Sequence, residues 1–272
     1  MIYLVTALYH EASPFIKKYG LKKNPDFGKI EVFENEKIRL IISGTGKVQS
    51  AIAVSSVISL KNDADKIINI GICGAAEPDF AIGDMFLVHE VRDFSAKKRY
   101  YPDILYDFQI AGAAVTTFDK PLVEHERKTI ADKLEIVDME ASGFYEAAVR
   151  HVTAEKIQIL KIVSDHLEDI RCTPQLVADI FEKNLQMLDM VIMHNTQKTA
   201  VLSEEECNFL EKLIQTLRFT QTQRHSFLDM AKSYKIRTGN DFSILHSYLD
   251  LEVKQKNQSK DHFETIRSLL FA

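Results

Sequence analysis

The segment IQILKIVSDH, residues 157–166, decides the fold of this chain. Up to Val163 its residues are mostly apolar and β-branched, which is typical of a strand that is covered on both faces of a sheet. Ser164 and Asp165 follow at the carboxyl end of the strand, where open α/β sheets bind their ligands. Asp165 is therefore a candidate for chemistry, although an aspartate that only closes the strand or caps the next helix explains this segment equally well.

The elements on either side of this strand predict the fold class. Further strands are predicted at 2–8, 38–43, 66–72 and 85–91, and helices at 11–19, 47–60, 138–151 and 174–195. Cys73-Gly74-Ala75 is predicted to be a turn, and residues 92–121 are predicted to be irregular. The alternation of strands and helices predicts an α/β fold of three layers, α/β/α, around a central twisted mixed sheet.

The character of the sequence changes near Gln197. The helical segments predicted beyond it lie at 204–218, 221–235, 242–256 and 260–271. The first of these begins with a capping box, in which Ser203 is followed three residues later by Glu206. We expect an α/β domain over residues 1–196 and a C-terminal helical appendage over residues 197–272.

Composition limits the classes of function. The chain has 272 residues with a net charge of -5, so it is not expected to bind nucleic acid. Cys73, Cys172 and Cys207 are far apart and have no zinc-site spacing, which favours a reduced cytoplasmic setting without a metal. The sequence contains neither a leader peptide pattern nor an apolar run long enough to span a membrane. No cofactor is indicated.

The glycine turn Ser43-Gly44-Thr45-Gly46-Lys47-Val48 is similar to a phosphate-binding loop but does not match one. The phosphate-loop pattern needs a glycine at the position of Ile41 and a hydroxyl residue at the position of Val48. What remains is a strand, a tight turn and a helix N-terminus, which is either a plain turn or a place where backbone N–H groups meet a polar ligand.

Five segments in order resemble the nucleoside phosphorylase and nucleosidase superfamily. They are TALYHEASPF (6–15), SGTGKVQSAIA (43–53), NIGICGAAEPDFAIGD (69–84), VDMEASGFYEAA (137–148) and IVSD (162–165). The resemblance covers roughly residues 1–195, and the motifs are most similar to those of the methylthioadenosine/S-adenosylhomocysteine nucleosidase branch. It implies a phosphorylase-like fold and cleavage of the N-glycosidic bond of a purine nucleoside.

The resemblance implies roles for particular residues. Asp165 is the expected general acid, because a protonated carboxyl group can donate to N7 of the departing purine, and Ser164 is expected to orient it. Glu140 matches the glutamate that accepts hydrogen bonds from the ribose hydroxyls, and Met139 matches the apolar contact beneath the sugar. Without the resemblance, Met139 is an ordinary core residue and Glu140 a charge that suits a helix N-terminus.

Glu11 distinguishes hydrolysis from phosphorolysis. The hydrolytic branch has a glutamate near this place that activates water, whereas the phosphorolytic branch binds phosphate with arginines and a serine. Asn69 stands where an arginine is expected in the phosphorolytic branch, and Ile72 replaces a serine that contacts the nucleophile. Because a dianion needs charge-assisted donors, water is favoured over phosphate as the co-substrate. A phosphorylase and a nucleoside-binding module without turnover remain as alternatives.

The base-binding side departs from the family pattern. Phe118 lies in TTFDKPL, the segment where an aromatic residue is expected to stack on the base, but its spacing differs and Pro121 is an alternative occupant of that place. Other aromatic residues that could supply a stacking face are Tyr100, Tyr101 and Phe80. Ile72 and Gly74 complete the expected substrate contacts. Family members are commonly dimers or larger, so we expect a homo-oligomer in which a partner chain contributes to the pocket.

Overall fold

The chain forms two compact units, which the computed structural model describes over residues 1–61, 63–104, 108–167, 173–194, 202–251, 253 and 256–270. The first unit comprises Met1–Pro102 and Phe108–Asn195, and the second comprises Asp103–Asp107 and Thr196–Ala272. The domain boundary expected at residues 196/197 lies outside the described residues, so its position stays a prediction.

A mixed sheet forms the centre of the first unit. Its strands are β1 (Ile2–Thr6), β2 (Lys22–Asn24), β3 (Glu31–Glu34), β4 (Ile38–Ile42), β5 (Lys66–Ala75), β6 (Met85–Asp93), β7 (Lys98–Tyr100), β8 (Ala111–Thr117), β9 (Ile136–Asp138) and β10 (Ile157–Asp165). Parallel pairs join β4 to β1, β1 to β5, and β5 to β10. On its other side, β10 pairs with β6 in the antiparallel sense. Because β10 also pairs with β5, the strands β5, β10, β6, β8 and β9 close into a ring.

Helices cover the sheet in two pairs. The helices of this unit are α1 (Tyr9–Tyr19), α2 (Lys47–Leu60), the single turn α3 (Glu124–Arg127), α4 (Ala141–Ala148) and α5 (Pro174–Met193). α2 packs against α4, and the buried faces of both join the strand residues in the main apolar core. α1 packs against α5, where the rings of Phe15 and Phe181 lie 5.9 Å apart. The predicted α/β fold with a central mixed sheet is confirmed.

Two predictions of local structure were wrong. Cys73-Gly74-Ala75 is not a turn, because β5 runs on to Ala75 and its last two residues pair with β9. The segment 92–121 is not irregular, because it contains β7 and β8, and β8 is one of the strands that form the ring. The sequence of β8, AGAAVTT, has small residues and no polar alternation. It is a strand because β6 and β9 offer it backbone partners on both sides.

The second unit is helical. It contains α6 (Glu204–Thr216), α7 (Gln221–Thr238), a 3₁₀ segment (Ser243–Asp250) and α8 (Lys256–Leu270). The predicted capping box is present, since Ser203 accepts from the backbone N–H of Glu206 and the Glu206 carboxylate accepts from that of Ser203. Leu213, Phe227 and Ile266 are fully buried in this unit. In the described part of the chain, helices that combine the length and the apolar character needed to cross a membrane are absent.

Candidate active site

A cleft with a volume of about 190 Å³ opens beside the ring of strands. Residues at or just beyond the ends of β1, β5, β8, β9 and β10 line it, as is usual for ligand sites in α/β sheets. All of the site residues expected from the sequence contribute to this lining: Asp165, Glu11, Glu140, Met139, Ser164, Gly74, Ile72 and Phe118. Residues separated by up to about 150 positions in sequence therefore meet in one cavity.

Hydrogen bonds fix the carboxyl group of Asp165. Ser164 Oγ donates to Asp165 Oδ2 at 2.7 Å, and the backbone N–H of Leu167 donates to Oδ1 at 2.9 Å. Leu167 adopts a φ of +63°, which is uncommon for a residue with a Cβ. Gly74 makes this arrangement sterically feasible, because a Cβ at that position would lie 2.4 Å from Leu167 Cδ2. The carboxyl group is thus held at the wall of the cleft in a single orientation.

Glu11 is buried next to the end of β1 and to Ile72 of β5. It lies in the first turn of α1, and its Oε2 accepts from the backbone N–H groups of Ala7 and Leu8 at 2.8 and 2.9 Å. Its Oε1 accepts from the backbone N–H of Ile72 at 2.9 Å. Burial raises the pKa of Glu11, and these three donors together with Lys161 oppose that rise. The result is a desolvated carboxylate in a fixed position, as a general base requires.

Glu140 lies where the glycine turn meets α4. The backbone N–H of Gly46 donates to Glu140 Oε1 at 2.8 Å, so the N-terminal end of α2 binds a carboxylate of the protein itself. Burial and the nearby Asp138 raise the pKa of Glu140 to about 7. Met139 lines the cleft beside it. One backbone donor leaves much of the Glu140 carboxylate free for further hydrogen bonds.

The sequence analysis missed Lys161 and Asp138. Lys161 lies in the middle of β10 and is 1% exposed, and its Nζ is 2.7 Å from Asp138 Oδ2. Burial acts to lower the pKa of Lys161, but Asp138, Glu140 and Glu11 outweigh it and raise that pKa. A lysine inside an otherwise apolar strand was the visible clue, because a buried charge needs a partner. Lys161 is the counter-charge for the carboxylates behind the cleft.

Phe118 is the aromatic residue in the described lining of the cleft. Its ring is stacked on Phe94 at 4.5 Å, and Pro121 and Leu122 line the cleft beside it. The other aromatic residues proposed from the sequence are engaged elsewhere: Tyr100 donates to Glu146 at 2.9 Å, Tyr101 is buried outside the lining, and Phe80 packs on Phe86 at 4.4 Å. Both Phe118 and Pro121 are therefore at the cleft, instead of one replacing the other.

The charged side chains that line the described cleft are all carboxylates, those of Glu11, Asp138, Glu140 and Asp165. Two arginines of the same unit, Arg92 and Arg99, bind Glu90 at 2.6 Å each. Arg39 is paired with Glu34 and Asp63. Ile72 contributes its backbone N–H to Glu11 and an apolar side chain to the cleft, where the family pattern has a serine. The electrostatics favour a neutral or cationic ligand over an anion.

Comparisons with known proteins agree with this geometry. Residues 2–131 match the model of the phosphorylase superfamily. The apo structure of 5′-methylthioadenosine nucleosidase from Arabidopsis thaliana superposes with a TM-score of 0.61 at 20% identity, over 71% of this chain and 96% of that one. The 5′-methylthioadenosine/S-adenosylhomocysteine nucleosidase of Neisseria meningitidis, bound to methylthio-immucillin-A, gives 0.56 at 19%, over 70% and 96%.

The corresponding nucleosidase of Streptococcus pneumoniae, in complex with 8-aminoadenine, gives a TM-score of 0.55 at 18% identity, over 69% of this chain and 96% of that one. A search of curated protein sequences found no significant match. At these identities the structural similarity establishes the fold, and the family model adds the sequence pattern of the N-terminal half.

Proposed function

We propose that this protein hydrolyses the N-glycosidic bond of a purine nucleoside, because residues 2–131 match the model of the phosphorylase superfamily and the fold is that of the nucleosidases to which it is similar. The observation that carries the proposal is the convergence of Asp165, Glu140 and Glu11 on one cleft whose described lining has no positively charged side chain. The substrate is a nucleoside and not a nucleotide, because a phosphate would face these carboxylates without a cation to bind it.

Asp165 is the proposed general acid. In its protonated form it donates to N7 of the base while the bond between C1′ and N9 breaks and the bonding electrons leave with the base. Ser164 and the N–H of Leu167 hold the carboxyl group in place for this transfer. Phe118 offers an apolar face for the base on the same side of the cleft.

Glu140 and Glu11 are the proposed partners of the sugar and of water. Glu140 accepts hydrogen bonds from the ribose hydroxyls, and its negative charge stabilises the oxocarbenium-like transition state. Glu11 takes a proton from the water that attacks C1′, so the products are the free base and ribose with the 5′ substituent retained. Lys161 stabilises the ionised forms of these carboxylates, because its pKa is raised and it stays charged behind them.

Phosphorolysis is the second candidate for the same cleft. It would need donors for a phosphate dianion, but the described lining has no positively charged side chain, and Arg92 and Arg99 of the sheet are both paired with Glu90. A nucleoside-binding module without turnover is the third candidate. The buried position of Glu11 with its three backbone donors argues against it, because binding alone does not require a desolvated carboxylate there.

Base release from methylthioadenosine, adenosine and inosine, with and without phosphate, tests the proposal. Hydrolysis predicts free base and free sugar without phosphate, and Glu11→Gln is expected to remove this activity with little change in ligand affinity. A strict phosphate requirement would establish the phosphorylase instead. Absence of release from every nucleoside by a folded protein that binds them would favour the binding module.

A homo-oligomer is part of the proposal. α2 leaves Val48 and Ile52, which are one helical turn apart, 65% and 53% exposed beside the glycine turn of the cleft. A second copy of this chain is the occupant that we propose for this face. Analytical ultracentrifugation of the wild type and of Ile52→Glu checks it, and a monomeric wild type at micromolar concentration would exclude it.

A further inference from the structure

Lys47 occupies an unusual place for a lysine. It is the first residue of α2, and the helix dipole disfavours a positive charge at that end. Its Nζ lies 3.1 Å from each carboxylate oxygen of Asp93 and 2.9 Å from Asp119 Oδ1. Two carboxylates thus compensate a cation that the helix dipole does not favour. The role of Lys47 therefore depends on the segments that contain these two carboxylates.

The two carboxylates lie outside the cleft lining, but each is joined to a different segment that lines it. Asp93 ends β6 and accepts from Ser142 Oγ at 2.9 Å, and Ser142 lies two residues after Glu140. Asp119 directly follows Phe118 in the segment that supplies the base-side wall, and it also accepts from Ser95 Oγ. Through one ammonium group, Lys47 therefore ties the base-side wall to the start of α4, where Glu140 lies.

Close packing fixes the backbone of Lys47 as well. α2 approaches α4 so tightly at Gly143 that a Cβ there would lie 2.0 Å from the carbonyl oxygen of Lys47. The preceding residue, Gly46, donates its N–H to Glu140 Oε1 at 2.8 Å. The origin of the Lys47 side chain is thus fixed against the ribose side of the cleft, while its end holds the loop on the base side.

From these contacts we propose that Lys47 is a positioning residue, which holds the Phe118–Leu122 wall at the correct distance from Glu140 for a nucleoside to contact both. The inference rests on the proposed function, because it assigns Phe118 to the base and Glu140 to the ribose. Hydrogen bonds from Ser95 and Lys47 lower the pKa of Asp119, so this connection is charged at neutral pH.

A purely structural ion pair would behave differently. The Asp119 side chain is 56% exposed, and half-exposed pairs contribute little to folding stability. A positioning role predicts a loss in ligand binding that exceeds the loss in stability. It also predicts that salt weakens ligand binding to the wild type, because ions screen the Lys47–Asp119 attraction.

The experiment compares the wild type with Lys47→Met, Lys47→Arg and Asp119→Asn, with Lys23→Met as the matched control. Lys23 forms an exposed pair with Glu31 at 2.6 Å and lies outside the cleft lining. The readouts are the affinity for free adenine by calorimetry, KM and kcat for nucleoside hydrolysis, the salt dependence of KM, and the melting temperature.

Lys47→Met is expected to weaken adenine binding and raise KM by about tenfold, because several loop side chains must then be ordered on binding. Its kcat should stay within about threefold of the wild type, and its KM should lose the dependence on salt. Asp119→Asn should cost about two- to fivefold in affinity, Lys47→Arg should restore most of the binding, and Lys23→Met should match the wild type.

Unchanged adenine affinity and KM in Lys47→Met would overturn the inference while leaving the proposed function intact. If Lys47→Met does not fold, Asp119→Asn decides, and wild-type affinity in that variant overturns the inference. If the wild type binds adenine but cleaves no nucleoside, the proposed function fails, and the adenine affinities of the variants alone decide on Lys47. A wild type that neither binds adenine nor cleaves any of the nucleosides overturns both, and if it cleaves a nucleoside without binding adenine, KM alone decides on Lys47.

Discussion

Replacing Lys161 by methionine tests the electrostatic design of the site. The side chains of Lys161 and Asp138 are 1% and 0% exposed, and Glu140 and Glu11 also attract the ammonium group. Removing one partner of a buried ion pair costs about 3–5 kcal/mol in unfolding free energy, because the remaining charges lose their compensation. At about 2–4 °C per kcal/mol for a unit of this size, the melting temperature should fall by roughly 6–20 °C.

The loss should depend on pH in a defined direction. The pKa of Glu140 is raised from 4.5 to about 7, and Lys161 acts to lower it, so Lys161→Met raises it further. A carboxyl group with a folded-state pKa above its unfolded value loses stabilisation as the pH rises through the folded pKa. Above about pH 7, Glu140 in the variant still holds a proton that Glu140 in the wild type has released. In this range the unfolding free energy of the variant falls, relative to that of the wild type, by about 1.4 kcal/mol per pH unit.

Scanning calorimetry at about pH 5.5 and about pH 8 measures this difference. The chain has no tryptophan and two compact units, so calorimetry is preferred to fluorescence, and only the transition of the α/β unit should shift. The control Lys23→Met should stay within about 0.5 kcal/mol of the wild type. Adding Asp138→Asn to Lys161→Met should recover about 1–2 kcal/mol. A loss below about 1 kcal/mol, or one that is equal at both pH values, would refute the reasoning.

Two further outcomes follow from the geometry. Asp165→Asn should lower the rate of base release by about 10²–10⁴-fold, because asparagine has no acidic proton to donate to the base. The fold should be retained, because the asparagine oxygen can still accept the hydrogen bond from the Leu167 N–H. Activity within tenfold of the wild type would exclude Asp165 as the general acid. For the wild type, KM should fall as the pH rises through about 7, because Glu140 accepts hydrogen bonds from the ribose hydroxyls as a carboxylate. Glu140→Gln should bind the nucleoside more weakly, and its KM should lose this pH dependence. An identical pH profile of KM in both proteins would contradict the ribose-binding role of Glu140.

Much of the site could be predicted from the sequence because its residues follow recognisable local patterns. Asp165 ends an apolar strand, Glu11 lies in the first turn of the helix after β1, and Glu140 precedes α4. Each lies in a motif that resembles the same superfamily. Each of these positions is at the carboxyl end of a strand or the N-terminus of a helix. The convergence of Glu11 and Asp165 on one edge of the sheet then follows from the parallel order of β1, β5 and β10. Glu140 reaches the same edge because β9, which precedes it, pairs with the last residues of β5.

The strand β8 and the pairing of Lys161 were decided by the tertiary structure. The small residues of β8 carry no periodic pattern, and their strand geometry depends on hydrogen bonds to β6 and β9. Likewise, Asp138 lies 23 residues before Lys161, and no local rule joins them until the ring of strands closes.

The sequence by itself determined the class of fold, the alternation of its elements and the chemical groups available for catalysis, because these depend on side-chain polarity and local backbone preference. The tertiary structure alone decided which charges compensate one another, which aromatic residue faces the cleft, and how Lys47 joins its two walls. These properties depend on distances between segments far apart in the chain, and such distances exist only once the strands have paired and the helices have packed.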